Sequence, residues 1–133
     1  TLEDQFYNNN AADCIPAYGQ FLSWLGQVVQ LQGWSRYRGG LNIKNGSTGE
    51  TSVYTEYEGC EIMFHVATMI PFQPADVQQV ERKRHLGNDV VVLVFREPGA
   101  PPLDPALFKS QFNHVFVLVE PEPAAAGGTL PQY

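Results

Sequence analysis

Residues 81–89, Glu81-Arg82-Lys83-Arg84-His85-Leu86-Gly87-Asn88-Asp89, gather three consecutive cations, an imidazole, a carboxamide and carboxylates immediately before an apolar run over 90–95. The pattern predicts a basic helix stopped by Gly87 in the left-handed conformation, with Asn88 presented beside an apolar strand. A junction of that form suits a tool that reaches into another molecule's active site. The plainer reading is that Arg82, Lys83 and Arg84 complement the helix C-terminus and that Gly87-Asn88-Asp89 is only an exit turn. Spacing alone favours the plainer reading, and it keeps the three basic side chains from sharing one helix face.

Other chemistry finds little support. The chain has no GxxxxGK[ST] phosphate loop, HExxH, GxSxG or CxxC, so hydrolysis of nucleotide by the chain itself, zinc-peptidase chemistry and the common serine-hydrolase elbow are unsupported. His65, His85 and His114 lack close metal-ligand spacing, and structural roles are favoured for His65 and His114. A small-molecule enzyme working through His85 and Asp89 would need a closed pocket and a nearby nucleophile. Asn45-Gly46-Ser47 fits a glycosylation sequon, but reads as a turn.

With 133 residues, 44% of them hydrophobic, the chain can bury one core. The net charge of −6 argues against broad binding to nucleic acid or anionic membranes, so the basic residues must act locally. Cys14 and Cys60 form neither a metal pair nor a disulfide framework, which points to a reducing compartment and makes the cytosol the default location. No run is long enough for a membrane span. The chain opens on Thr1 rather than Met, and reads as a piece of something longer.

The elements that must position residues 81–89 follow from periodicity. Tyr18, Phe21, Leu22 and Leu25 predict an amphipathic helix after Pro16 with a glycine stop at Gly26. Strands are expected over 28–32, 51–57 and 61–67, the last two joined as a hairpin through Glu58-Gly59-Cys60. In the third strand, Ile62, Phe64 and Val66 share one face and Met63, His65 and Ala67 the other, with most of the strand buried. Asp76 and Gln79 suggest a capping box for a helix over 77–86, with Val77 and Val80 inward and Gln78, Glu81, Arg82 and Lys83 solvated. Residues 90–95 read as a central strand covered on both faces, 104–112 as a short helix opened by Asp104-Pro105, and 115–119 as another buried strand. The expected class is α/β: a mixed β-sheet with flanking helices, in which a β-hairpin is followed by strand-helix-strand units.

Several blocks in order resemble the Rap/Ran-GAP domain of Rap GTPase activators, including the SPA-1-like and Rap-GAP groups and, more distantly, tuberin. They are Phe21-Leu22, Tyr37-Arg38-Gly39-Gly40-Leu41, Thr48-Gly49, Ser52-Val53-Tyr54, Glu61 through Pro71, and above all Gln78 through Asp89. The resemblance implies a protein that binds a GTP-loaded small GTPase of the Ras family, Rap above Ral or Rheb, and supplies Asn88 as an "Asn thumb" in place of an arginine finger. A carboxamide has one acceptor oxygen and two donor hydrogens, and can hold the attacking water in line with the γ-phosphate, as a Gln does in many GTPases. It cannot ionise, so its expected contribution is positioning.

By the same resemblance His85 engages the GTPase, while Lys83 and Arg84 meet acidic switch residues. Arg36 and Arg38 are then not fingers, and Arg38 could pair with a carboxylate in the fold. Trp34 and Tyr37 read as packing aromatics. No cofactor of its own is expected, since GTP and Mg belong to the partner; membrane recruitment would fall to regions outside this chain. Leu86 stands where Rap activators commonly have Ile, a volume-conserving change also found in tuberin-like members. The expected organisation is an N-terminal extension over 1–16, a catalytic domain over 17–120, and a linker or the start of a C-terminal part over 121–133. The family's domain continues past Tyr133, so this one is expected to be partial. The alternative is a GTPase-binding module that does not accelerate hydrolysis.

Overall fold

The computed structural model describes residues 11–123. Most of the expected N-terminal extension and of the segment over 121–133 lies outside the described residues. Helix α1 (Pro16–Leu25) opens on a proline at its first turn and buries Phe21. Its glycine stop works by proximity rather than by a left-handed turn. Gly26 is extended at φ 172°, and a Cβ there would collide with the Tyr54 carbonyl.

Strand β1 (Gln27–Gln30) pairs antiparallel with β2 (Thr51–Tyr57), which pairs antiparallel with β3 (Cys60–Phe64) in the order β1-β2-β3. β2 is the middle strand, and its successive residues Ser52, Val53 and Tyr54 are all buried. The hairpin turn is Glu58-Gly59, with φ 49° and 77°, the pair of positive values a two-residue type I′ turn requires. Val29, Leu31, Leu41, Tyr54 and Met63 form a core against which Trp34 packs. β3 ends at Phe64, so only the first half of the expected strand over 61–67 is regular, and Met63 rather than Ile62 turns to the core.

The second helix starts late. α2 (Val80–Gly87) follows a left-handed Gln79 (φ 48°, ψ 54°), whose buried carboxamide bonds to the backbone N–H and C=O of Gln73 and to the Asp76 carbonyl. Asp76 does cap, accepting from the amides of Gln78 and Val80, but there is no reciprocal capping box. The break at Gln79 shifts the helical phase, leaving Val77 and Val80 80% and 51% exposed while Arg82 is buried to 1%. The expected inner and solvated sides are therefore exchanged at these positions. Gly87 does not adopt the left-handed stop either; it closes the helix, and Asn88 follows at φ −94°, ψ −5°.

Strand β4 (Val91–Phe95) pairs in parallel with β5 (Val115–Val119) in a separate two-stranded sheet. The α/β class stands, but among the described residues the antiparallel and parallel pairings occupy two sheets rather than one mixed sheet. β4 is thus not central there. The Tyr18 and Phe21 rings of α1 lie 5.4 and 5.5 Å from Phe95, while Val91, Val115, Val117 and Leu118 remain exposed. The helix expected over 104–112 contracts to a single 3-10 turn, Pro105–Leu107, capped by Asp104. Beyond it, Ser110 and Asn113 bond to the carbonyls of residues 86, 87 and 89 instead of continuing a helix.

Candidate functional site at the end of helix α2

Asn88 stands exposed just past α2, and its carboxamide makes no hydrogen bond among the described residues. The backbone around it is held. The amides of Asn88 and Asp89 donate to the carbonyls of His85 and Leu86, each at 3.3 Å. From the segment before β5, the Ser110 hydroxyl donates to the Gly87 carbonyl, and Asn113 Nδ2 donates to the carbonyls of Leu86, at 2.9 Å, and Asp89. A free side chain thus projects from a tethered turn.

Asp89 is fixed by its side chain as well. Its Oδ2 accepts from His65 Nδ1 at 2.8 Å, and His65 Nε2 donates to the Gly39 carbonyl at 2.6 Å. His65 therefore bolts the Arg38-Gly39-Gly40 loop to the residue after Asn88. Gly39 is left-handed at φ 58°, and a Cβ there would press to 3.3 Å from His65 Nε2, which explains a glycine at this point. Burial opposes the His65 cation, but Asp89 and the Gly39 and His85 carbonyls outweigh it and raise the pKa above the ordinary 6.5.

His85 is not an exposed contact. It is 8% exposed, its ring meets that of His65 edge-on at 5.1 Å, and its buried Nε2 has no hydrogen-bond partner among the described residues, the nearest carboxylate being Glu81 Oε2 at 3.8 Å. Burial first, then the His65 and Arg84 charges, push its pKa below 6.5. Arg84 is exposed and paired with Glu81 at 3.0 Å, one helical turn before Asn88. Lys83 is half-buried. Arg82 turns inward, its Nε donating to the Ile70 carbonyl at 2.9 Å and its guanidinium lying 5.5 Å from the centre of the Phe72 ring. The three consecutive cations thus point to different surroundings.

A shallow groove beside this turn is lined by Arg38, Lys44 and Arg84 together with the buried Leu41 and Thr48, and among the described residues no acidic side chain lines it. The carboxylate pairing envisaged for Arg38 belongs to Arg36, which holds Glu56 at 2.8 Å and Glu61 at 2.9 Å. Trp34 packs against the core and donates to the Tyr37 carbonyl, whereas Tyr37 itself is exposed. His114 is exposed, its Nδ1 on the Phe112 carbonyl.

Sequence reasoning missed His65, Ser110 and Asn113 as supports of Asn88. His65 lies in a strand-like alternation that says nothing of a partner 24 residues on. Ser110 and Asn113 fall in a segment read as helix, although Ser-x-x-Asn before an apolar strand is also a turn signal.

An antiparallel three-stranded sheet, a parallel pair and an exposed carboxamide at a helix exit define an α/β domain in which Asn88 faces outward. The chain belongs to the Rap/ran-GAP family, whose model matches residues 6–131. It is 51% identical over 119 residues to signal-induced proliferation-associated 1-like protein 1 of Mus musculus, covering 90% of this chain and 7% of that protein. It is 48% identical over 120 residues to RapA guanosine triphosphatase-activating protein 1 of Dictyostelium discoideum, covering 90% and 11%. The solved structure of the TSC2 GAP domain superposes with a TM-score of 0.84 at 32% identity, over 92% of this chain and 63% of that one. The chain therefore spans a small part of the curated relatives it matches. No helix among the described residues is long and apolar enough to cross a membrane.

Proposed function

We propose that this domain stimulates GTP hydrolysis by a Rap-type small GTPase, with Asn88 entering the partner's nucleotide site as an Asn thumb that positions the attacking water. The observation that supports this most is the combination of an exposed, unbonded carboxamide with backbone tethers on both sides of it. Donors and acceptors held in advance need no reorganisation when the partner's charge develops. GTP and Mg are the partner's, and this chain supplies no cofactor.

Arg84 and Lys83 are assigned to binding acidic switch residues, and the Arg38 and Lys44 groove extends that surface. His85 acts from beneath, packing on His65 and holding the helix end, rather than through an exposed contact. The choice of Rap follows from family membership and from the Rap-directed relative.

The test is hydrolysis by GTP-loaded Rap with and without the domain, repeated with Asn88→Ala. Loss of stimulation with retained binding supports the proposal; unchanged stimulation overturns it. Binding without stimulation by the unsubstituted chain would instead select the interaction-module reading.

A further inference from the structure

We infer that Ser110 and Asn113, far from Asn88 in sequence, are positioning residues that set the direction of the thumb. This rests on the water-positioning reading of Asn88.

A helix end leaves carbonyls without intrahelical partners, and a left-handed glycine usually satisfies them. Here Gly87 is not left-handed, and the amides of Asn88 and Asp89 reach back only to His85 and Leu86. The carbonyl of Gly87 is taken by the Ser110 hydroxyl, and that of Asp89 by Asn113 Nδ2, which also bonds to the Leu86 carbonyl. One carboxamide thus spans the peptide units 86–87 and 89–90, one step outside the two that flank Asn88.

The bridge is itself anchored. Ser110 Oγ accepts from the amides of Phe112 at 3.1 Å and Asn113 at 3.4 Å, which orients its hydroxyl toward Gly87. The next amides, of His114 and Val115, donate to the Val90 carbonyl at 2.9 and 3.0 Å, where the segment enters β5. Residues 86, 87, 89 and 90 are therefore all bound through their carbonyls to 110–115, and Asn88 is the residue they enclose. The plane before Asn88 is held at the Gly87 carbonyl by Ser110, and the plane after it at the Asp89 amide by the Leu86 carbonyl, which Asn113 holds in turn; fixing both planes fixes the Cα–Cβ direction. A water-positioning amide needs that direction held to within about half an ångström of the productive geometry.

A role confined to fold stability would lower the amount of folded domain without changing what a bound domain does, so the test separates turnover from binding. Single-turnover hydrolysis by GTP-loaded Rap is followed at rising concentrations of the chain, giving kcat and the half-saturating concentration. Asn113→Leu, which keeps the branched heavy-atom skeleton but has no donors, is expected to lower kcat about 10- to 100-fold while leaving half-saturation within about twofold. Ser110→Ala is expected to lower kcat, and Ser110→Thr, which keeps the hydroxyl, to restore it. In an Asn88→Ala background, Asn113→Leu should cost nothing further, because the group it aims is gone.

Unchanged kcat in Asn113→Leu, a loss confined to half-saturation, or a full additional loss on top of Asn88→Ala would overturn the inference. If Asn113→Leu does not fold, the Ser110→Ala and Ser110→Thr pair decides, and equal kcat in the two overturns it. If Asn88→Ala itself stimulates like the unsubstituted chain, the thumb reading fails and takes this inference with it. If Asn88→Ala is inactive while Asn113→Leu is fully active, only this inference falls.

Discussion

At the scale of single residues, the site is governed by two histidines in edge-to-face contact that carry opposite preferences. Both His65 nitrogens face acceptors, the Asp89 carboxylate and the Gly39 carbonyl, and only the imidazolium donates from both. Its folded-state pKa lies above 6.5, so its contribution to stability is complete below that value and is lost as pH rises through the raised pKa. His85 runs the other way: with its pKa depressed, its contribution is present above 6.5 and lost as pH falls through the folded value. In His65→Gln the cation beside His85 is gone, so the His85 midpoint, followed by its ring-proton NMR shift, should rise toward 6.5. A midpoint that does not move would show that the ring contact carries no electrostatic coupling. Arg82 gives a second residue-scale prediction. Arg82→Met strips the buried Ile70 carbonyl of the Nε donor and should cost about 2–4 kcal/mol in urea unfolding, whereas Arg84→Met on the surface should fall within about 0.5 kcal/mol. The place of Asn88 at a helix exit was legible because the basic run and Gly87 mark the end of a helix. The burial of Arg82 and His85 was not, since three adjacent cations look alike until helical phase is known, and one left-handed residue, Gln79, sets that phase.

Elements were legible where local chemistry decides them. The Tyr18 to Leu25 periodicity, the 51–57 strand and the hairpin emerged close to their observed bounds because proline, turn residues and alternation act within a few positions. β4 was recognised as a strand but misplaced as central, because an apolar run specifies a need for cover without specifying what supplies it. The helix expected over 104–112 stops after Leu107 because Ser110 and Asn113 are committed to the carbonyls at 86, 87 and 89, a long-range demand that local propensity cannot express. The hairpin offers the element-scale prediction. Its turn places Glu58, a residue with a Cβ and no local hydrogen-bonding advantage there, at φ 49°. Glu58→Asn creates the Asn-Gly pair that type I′ turns favour, and should raise stability by about 1 kcal/mol with the β2–β3 register unchanged. Denaturant unfolding checks the gain, and a decrease would mean that Glu58 has a role its exposed position does not suggest.

For the whole molecule, the question is how a chain carrying −6 presents a basic face. Arg36 is neutralised by Glu56 and Glu61, and Arg84 is partly offset by Glu81, but Arg38, Lys44 and Arg84 still converge on a groove whose lining, among the described residues, holds no carboxylate. His65 ties the loop carrying Arg38 to Asp89, so the groove is fixed relative to Asn88. On the proposed reading, an acidic molecule with a local positive face is repelled by an acidic partner in most orientations and attracted in those that bring Asn88 forward. Such a pattern governs the rate of encounter more than the final contacts. The association rate with a GTP-loaded Rap-type GTPase should therefore fall as salt rises and the screening length shrinks toward about 8 Å near 0.15 M. Paired Arg38→Glu and Lys44→Glu substitutions should lower that rate about tenfold at low salt, with dissociation and the saturated hydrolysis rate little changed, and the deficit should narrow as salt increases. Stopped-flow binding at several ionic strengths measures this directly. A rate insensitive to salt, or a loss that appears in saturated hydrolysis instead, would remove the groove from the docking face and leave Arg84 and Lys83 to carry it alone.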